Sequence, residues 1–342
     1  MSVARMMFSV LFGTARTLVG VAKWLMGVDA SVTLGEQLSS VMAGARIENL
    51  TRLSGGASRE TWMFTADGEK MVLQRQRDGA TRGMSIEASV LRAAHAAGVA
   101  VPELIVDGGE STALKNPFFV VRAVEGETIA RKIQRDDEFA HARTVLTADI
   151  GRAMAATHSI PLASVPGLVE QDEIAYYRKV LDDTGEPHPV FEVAFRWLEA
   201  NRPSGTGKTV VHGDFRLGNV MVNATGLTAV LDWELAHIGD PMEDLGWVCV
   251  KAWRFGGAKP VAGIGDYDEL FDAYEAAGRQ RPDFEVVRWW EVLGTLKWGI
   301  MCIIQAASHL NGFSRSHELA AIGRRVCENE WDLVQLLKGR VR

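Results

Sequence analysis

The 342-residue sequence has few cysteines and no excess of basic residues. Its three cysteines, Cys249, Cys302 and Cys327, are far apart and odd in number, which argues against a disulfide framework or a zinc site and favours a reducing cytosol. The formal net charge of −6 means that the chain lacks the excess of basic residues that binds a phosphate backbone, so nucleic acid is not expected as the main partner. A hydrophobic content of 47% indicates a globular chain, long enough for two lobes.

The first 28 residues contain no acidic residue, and their only cations are Arg5, Arg16 and Lys23. On a helix these cations would form one narrow stripe on an otherwise apolar cylinder. The longest uncharged run, 6–15, is too short to span a bilayer. Two interpretations stay open: a helix at a membrane interface, or a helix packed on the domain or on a second subunit. We therefore predict a cytoplasmic protein, with membrane association through this helix as the alternative.

The most informative stretch is 209–232, where polar side chains stand at the ends of short apolar runs. Such runs, bounded by glycine and asparagine, predict strands. Asp214 follows the first run, Asn219 begins the second and Asp232 ends the third. Taken singly, each is a common turn former or cap. Together, at strand ends and in a tight loop, they can be directed to one point, and their oxygen atoms suit a hard ion such as Mg²⁺.

The motif H-G-D-x-x-x-x-N at 212–219, followed by D-W-E at 232–234, resembles the catalytic loop and metal-binding aspartate of the protein-kinase-like fold. The glycine in place of the kinase arginine, and D-W-E in place of D-F-G, are similar to its aminoglycoside phosphotransferase (APH) branch. The resemblance implies a bilobal α+β fold. We expect an N-terminal helix at 1–30, a small antiparallel-sheet N-lobe at 31–124 and a larger, mainly helical C-lobe at 125–342.

The resemblance also implies that the N-lobe binds the nucleotide. A small, flexible loop at 54–60 would lie over the phosphates, and its nucleotide-binding residues would be Ser54, Gly55, Gly56 and Ser58. The third strand would carry a cation that pairs with Glu87 on the following helix. This cation aligns with Gln74 or Arg75, and only one of the two can face the nucleotide; we choose Arg75 because it is charged. Adenine would bind the Arg122 carbonyl and the Val124 N–H.

For the chemistry, the resemblance implies transfer of the ATP γ-phosphoryl group to a hydroxyl of a small molecule. Asp214 would orient this hydroxyl and accept its proton, and Arg216 would neutralise the γ-phosphate or have a surface role. Asn219 and Asp232 would hold Mg²⁺. The chain is also similar to kinase-like domains fused to acyl-CoA dehydrogenases, which implies a hydroxyacyl-CoA-like acceptor. An aminoglycoside, sugar or choline-type kinase is the alternative, and a nucleotide-binding scaffold with little turnover is an alternative of another class.

Charged residues outside these motifs also have predicted roles. Asp240 and Asp244 follow the metal aspartate and are predicted to brace nearby loops rather than to bind metal. Lys297 is the only charge in an apolar run between Glu291 and His309. It either extends to the surface, which we favour, or meets an anionic substrate group, for which Arg254 is a weaker candidate.

Overall fold

The computed structural model describes residues 26–53, 59–77, 83–109, 111, 113–313 and 315–339. The predictions for residues 1–25 and for Ser54, Gly55, Gly56 and Ser58 lie outside these residues. The chain divides into two compact units. The first contains the described residues up to Arg92 together with Pro102–Val124, and the second contains Ala93–Val101 and the chain from Glu125 onward. The combination of an antiparallel sheet with many helices confirms the α+β class.

The first unit is built on a five-stranded antiparallel sheet with the strand order β1-β2-β3-β5-β4. Its strands are β1 (Ile47–Arg52), β2 (Arg59–Ala66), β3 (Glu69–Gln76), β4 (Leu104–Asp107) and β5 (Phe118–Arg122). The β2–β3 hairpin turns at Asp67 and Gly68, both with positive φ, as a two-residue hairpin of this kind requires. The start of β2 at Arg59 corrects the predicted loop, which included residues 59 and 60.

One face of this sheet packs on a helix. Helix α1 (Met26–Val41) contributes Leu34 and Leu38 to a buried cluster with Phe64 and Leu73 of the sheet. Helix α2 (Met84–Ala96) carries Glu87 in its first turn. Helix α1 continues through the boundary predicted at residue 30.

The second unit is mainly helical. Its helices are α3 (Ala130–Arg135), α4 (Ala140–Thr157), α5 (Glu173–Thr184), α6 (Pro189–Ala200), α7 (Met242–Cys249), α8 (Tyr267–Ala276), α9 (Phe284–Leu310), α10 (His317–Gly323) and α11 (Val326–Leu337). Helix α9 is 27 residues long and buried along much of its length, as a helix with apolar residues on most sides should be. Asp283 caps it by accepting the Glu285 backbone N–H at 2.8 Å. No helix in the described part of the chain has both the length and the apolar character needed to cross a bilayer.

Two small antiparallel sheets in the second unit carry the predicted catalytic stretch. Strand β6 (Thr209–Val211) pairs with β9 (His237–Gly239), and β7 (Val220–Asn223) pairs with β8 (Gly226–Val230). These are the three apolar runs that the sequence predicted as strands, with one further strand, β9. The segments 212–219 and 231–236 therefore connect short, paired strands, and their backbone positions are fixed at both ends.

Candidate active site

The loop after β6 gathers polar groups around the Asp214 carboxylate. Asn219 Nδ2 donates to Asp214 Oδ2 at 2.6 Å and to the Asp214 carbonyl at 2.9 Å. Arg216 Nε lies 3.1 Å from Oδ1 and 3.2 Å from Oδ2. The Trp247 indole N–H donates to Oδ1 at 2.8 Å. Three donors thus fix the orientation of a carboxylate whose side chain is still 16% exposed, so a substrate hydroxyl can reach it.

Gly213 permits the turn that presents Asp214. Its φ is +79°, a conformation that glycine adopts without strain. A Cβ at this position would lie 2.6 Å from the Leu235 carbonyl oxygen, so backbone would have to move to accommodate any side chain. This explains in physical terms why the position that is arginine in H-R-D is glycine here.

Two buried side chains brace the same loop. Asp244, at the start of α7, accepts the backbone N–H groups of His212 at 2.8 Å and Gly213 at 2.9 Å. It also contacts His158 Nε2 at 3.1 Å. Burial acts to raise the pKa of the Asp244 carboxyl, but the contact with His158 and the hydrogen bond from the His212 backbone N–H hold it below its ordinary value. The predicted bracing role of Asp244 is therefore confirmed, and it supports the catalytic loop.

His212 connects this loop to the end of β8. Its Nδ1 accepts the Asp214 backbone N–H at 3.2 Å, and its Nε2 contacts the Leu231 carbonyl at 2.9 Å. Because a carbonyl oxygen only accepts, these contacts together assign the ring proton to Nε2. The His212 side chain thus braces the loop, and its ring sets the spacing between Asp214 and the residue before Asp232.

The two predicted metal ligands are brought together by the β7–β8 hairpin. Val220 is paired with Val230, and the Leu231 N–H donates to the Asn219 carbonyl at 2.8 Å. Asn219 Nδ2 is directed at Asp214, which leaves its Oδ1 as the amide atom that can bind a cation. Asp232 has a left-handed backbone with φ 62°, uncommon for a residue other than glycine and frequent at functional sites. Carboxylate and amide oxygens are both ligands that a hard divalent ion such as Mg²⁺ prefers.

The structure corrects the predicted partner of Glu87 in the first unit. Arg75 pairs with Glu60 at 2.5 Å and donates to the Leu114 carbonyl at 3.2 Å. Alternation along β3 places it on the same face as the buried Leu73. The prediction that Arg75 pairs with Glu87 is therefore wrong.

Glu87 pairs instead with Arg59, at the start of β2. Its guanidinium makes two contacts of 2.7 Å with the Glu87 carboxylate. It also donates to Gln74 Oε1 at 2.8 Å. Sequence reasoning missed Arg59 because it was assigned to the flexible loop; the extension of β2 opposite β3 would have revealed it.

Arg122, the first residue of the predicted adenine segment, ends β5. Its backbone N–H donates to the Glu103 carbonyl at 2.8 Å. Its side chain pairs with Glu103 at 2.9 Å and also with Glu69. The predicted use of the Arg122 carbonyl and the Val124 N–H by adenine stays a prediction.

With this geometry established, the chain can be compared with known proteins. The model of the phosphotransferase enzyme family, APH, matches residues 49–290, well over half of the chain. The chain belongs to the APH phosphotransferase family.

Curated relatives of this APH-family chain include two acyl-CoA dehydrogenase family members. Member 10 of Mus musculus is 24% identical over 233 residues, which are 64% of this chain and 22% of that protein. Member 11 of Gallus gallus is 26% identical over 214 residues, which are 58% of this chain and 27% of that protein. The chain thus matches about a quarter of the length of these relatives.

Solved structures support the same fold. The GDP complex of aminoglycoside 2'-phosphotransferase-IIIa has a TM-score of 0.66 and 15% identity, over 88% of this chain and 99% of that one. A choline/ethanolamine kinase family protein of Mesorhizobium loti has a TM-score of 0.64 and 18% identity, over 90% and 95% of the two chains. At identities this low, the structural similarity establishes the fold alone, which is the kinase-like APH fold. The family match gives the reaction class, transfer of a phosphoryl group to a small molecule.

The structure also corrects the interpretation of Lys297 in this APH-family chain. Lys297 is buried, 5% exposed, and does not extend to the surface. Its Nζ lies 3.0 Å from Glu173 and 3.1 Å from Glu243. Arg254 is likewise buried and pairs with Glu291 at 3.0 Å. Both cations have protein carboxylates as partners, because acidic residues distant in sequence fold against them.

Proposed function

We propose that this protein transfers the γ-phosphoryl group of ATP to a hydroxyl of a small molecule, with Asp214 as the catalytic base. The observation that carries the proposal is the environment of Asp214. Its carboxylate is oriented by Asn219, Arg216 and Trp247, yet stays partly exposed. A base held in one orientation beside a candidate metal ligand, Asn219, is the arrangement that phosphoryl transfer needs, since positioning and charge neutralisation provide most of its acceleration.

In the proposed reaction the acceptor oxygen forms a bond to the γ-phosphorus while the bond from that phosphorus to the β–γ bridging oxygen breaks. Asp214 accepts the proton of the acceptor hydroxyl, and ADP leaves. Asn219 Oδ1 and the Asp232 carboxylate would hold Mg²⁺, which neutralises phosphate charge when bound. Arg216 keeps Asp214 oriented and stays the proposed contact for the transferred phosphate.

For the nucleotide, we propose that Arg59 has the role that the sequence assigned to Arg75. It is the cation that Glu87 holds, and its side chain is only 11% exposed. Residues 54–58, the Arg122 carbonyl and the Val124 N–H complete the proposed set of ATP contacts.

For the acceptor, we propose a hydroxylated acyl-CoA thioester. The support is the similarity to two proteins named as acyl-CoA dehydrogenase family members. Mass spectrometry of reactions with ATP and a panel of hydroxyacyl-CoA, aminoglycoside and choline-type alcohols would identify the product. A phosphorylated aminoglycoside with an unchanged hydroxyacyl-CoA would overturn this acceptor while leaving the reaction class intact.

The reaction itself is tested by Asp214→Asn, which removes the base and keeps the shape of the side chain. We expect kcat to fall about 10²- to 10⁴-fold, the usual contribution of a general base, with little change in melting temperature. Asp183→Asn is the matched control, because Asp183 pairs only with the exposed Lys179 within the described contacts. Full ATP-dependent turnover in Asp214→Asn would refute the mechanism.

A further inference from the structure

Four buried ionisable side chains lie behind the catalytic loop: Glu173, His237, Glu243 and Lys297. Both carboxylates contact the Lys297 ammonium at 3.0 and 3.1 Å, and Glu243 also contacts His237 Nε2 at 3.0 Å. The two carboxylates and the imidazole lie close enough to hold a metal ion. The Lys297 ammonium already provides the cation that the carboxylates require, so we assign the cluster a different use.

Lys297 connects this cluster to the catalytic loop. Its ammonium lies 3.4 Å from the Gly213 carbonyl, the residue immediately before Asp214. It also lies 5.1 Å from the centre of the Trp247 ring, within the range of a cation–π contact. A buried ammonium held by two carboxylates has little freedom to move, so it gives both the loop and the indole a fixed neighbour.

Trp247 contacts the Asp214 carboxylate as well as Lys297. Its ring is 1% exposed and packs against Trp253 with centroids 5.3 Å apart. Its indole N–H donates to Asp214 Oδ1 at 2.8 Å. Without that donor, Oδ1 would keep only the longer contact with Arg216 Nε at 3.1 Å. The carboxylate would then be held less firmly, mainly through the Asn219 hydrogen bond to Oδ2.

We infer that Trp247 is a positioning residue for the catalytic carboxylate, and that buried Lys297 acts through Trp247 to hold it in place. The inference rests on the proposed function, in which Asp214 is the base. Neither residue touches substrate. Their effect is to confine the Asp214 carboxylate to the orientation in which it meets the acceptor hydroxyl.

The first test is Trp247→Phe, which keeps an aromatic ring and removes the N–H donor. Loss of one hydrogen bond to a charged acceptor should lower kcat roughly ten- to hundredfold, with KM for ATP unchanged. Trp298→Phe is the matched control, because Trp298 belongs to the same aromatic cluster and its Nε1 has no hydrogen-bond partner within the described residues. Equal kcat values for the two variants would overturn the inference.

The second test separates Lys297 from simple packing. Lys297→Met with Glu173→Gln removes one charge of each sign and leaves the Glu243–His237 pair intact, so folding is not lost through an unpaired charge. We expect a decrease in kcat similar to that of Trp247→Phe. When the changes are combined, the decrease should be smaller than the product of the two, since Lys297 acts largely through Trp247. Multiplicative effects would show that Lys297 does not act through the indole. Lys297→Arg should recover most of the activity.

A third measurement does not depend on turnover. The chain has ten tryptophans, and Trp247→Phe identifies the Trp247 indole signal in a ¹⁵N–¹H NMR spectrum as the one that disappears. In Asp214→Asn this signal should move upfield, because its charged acceptor is gone. An unchanged signal would overturn the inference even if the enzyme is active. A shifted signal in a protein without phosphotransferase activity would instead refute the proposed function alone.

Discussion

The Asp244 brace gives the sharpest prediction for stability. In Asp244→Asn an amide nitrogen replaces one of the two oxygens that together accept the His212 and Gly213 N–H groups and contact His158. If the remaining oxygen takes the place of Oδ2, the new NH₂ group takes the place of Oδ1 and faces the Gly213 N–H. Two buried donors, the Gly213 N–H and the new NH₂, are then left without an acceptor. At about 1–3 kcal/mol for each of these two unsatisfied buried groups, we expect a loss of about 2–6 kcal/mol.

Urea unfolding followed by tryptophan fluorescence measures this loss as a lower midpoint with an unchanged m-value. Asp266→Asn is the control, since Asp266 forms an exposed pair with Lys259 and should change stability by less than about 1 kcal/mol. If Asp244→Asn and Asp266→Asn had the same midpoint, the buried carboxylate would not be bracing the loop.

The pH dependence of this contribution follows from the lowered pKa of Asp244. A carboxyl with a lower pKa in the folded than in the unfolded protein stabilises the fold above the unfolded value, about 3.9. The contribution is lost as the pH falls through the folded value. The stability difference between wild type and Asp244→Asn should therefore be constant near neutral pH and become smaller below about pH 4.

Two further predictions concern the same region. Burial acts to lower the pKa of His237, but the nearby Glu243 carboxylate outweighs burial and raises the pKa to about 9. Protonation of His237 therefore stabilises the fold by up to roughly 3 kcal/mol, and this contribution is complete below about pH 6.5. Stability should fall as the pH rises through 9, and thermal unfolding of His237→Gln between pH 6 and 10 should lack this decrease. Gly213→Ala should lower stability by about 2 kcal/mol or more, since its Cβ would meet the Leu235 carbonyl, and should reduce kcat at least tenfold; wild-type kinetics would contradict the close approach.

The stretch 209–232 was predictable because its information is local. Each polar residue stands at the end of an apolar run, and the runs are adjacent in sequence, so the strands and their pairing largely determine where Asp214, Asn219 and Asp232 lie. The bracing role of Asp244 was predicted from its position shortly after Asp232, but its partners His212 and Gly213, 32 and 31 residues earlier in the chain, were not.

The roles of Arg75, Arg59 and Lys297 were not predictable in the same way. The choice between Gln74 and Arg75 depends on which face of β3 is buried, and this is decided by helix α1 and the other strands. The position of Lys297 depends on Glu173, more than one hundred residues earlier in the chain. An apolar run with one lysine does not reveal the carboxylates that will surround that lysine, because they come from α5 and α7.

The left-handed backbone at Asp232 limits which amino acids this position can hold. Most side chains in that conformation cost roughly 1–2 kcal/mol, whereas glycine, asparagine and aspartate adopt it with little strain. The proposed metal role selects independently for a carboxylate. Aspartate alone satisfies both conditions, so backbone shape and chemistry each restrict position 232. Of the possible substitutions, asparagine would remove the charge while keeping the shape, whereas alanine would change both at once.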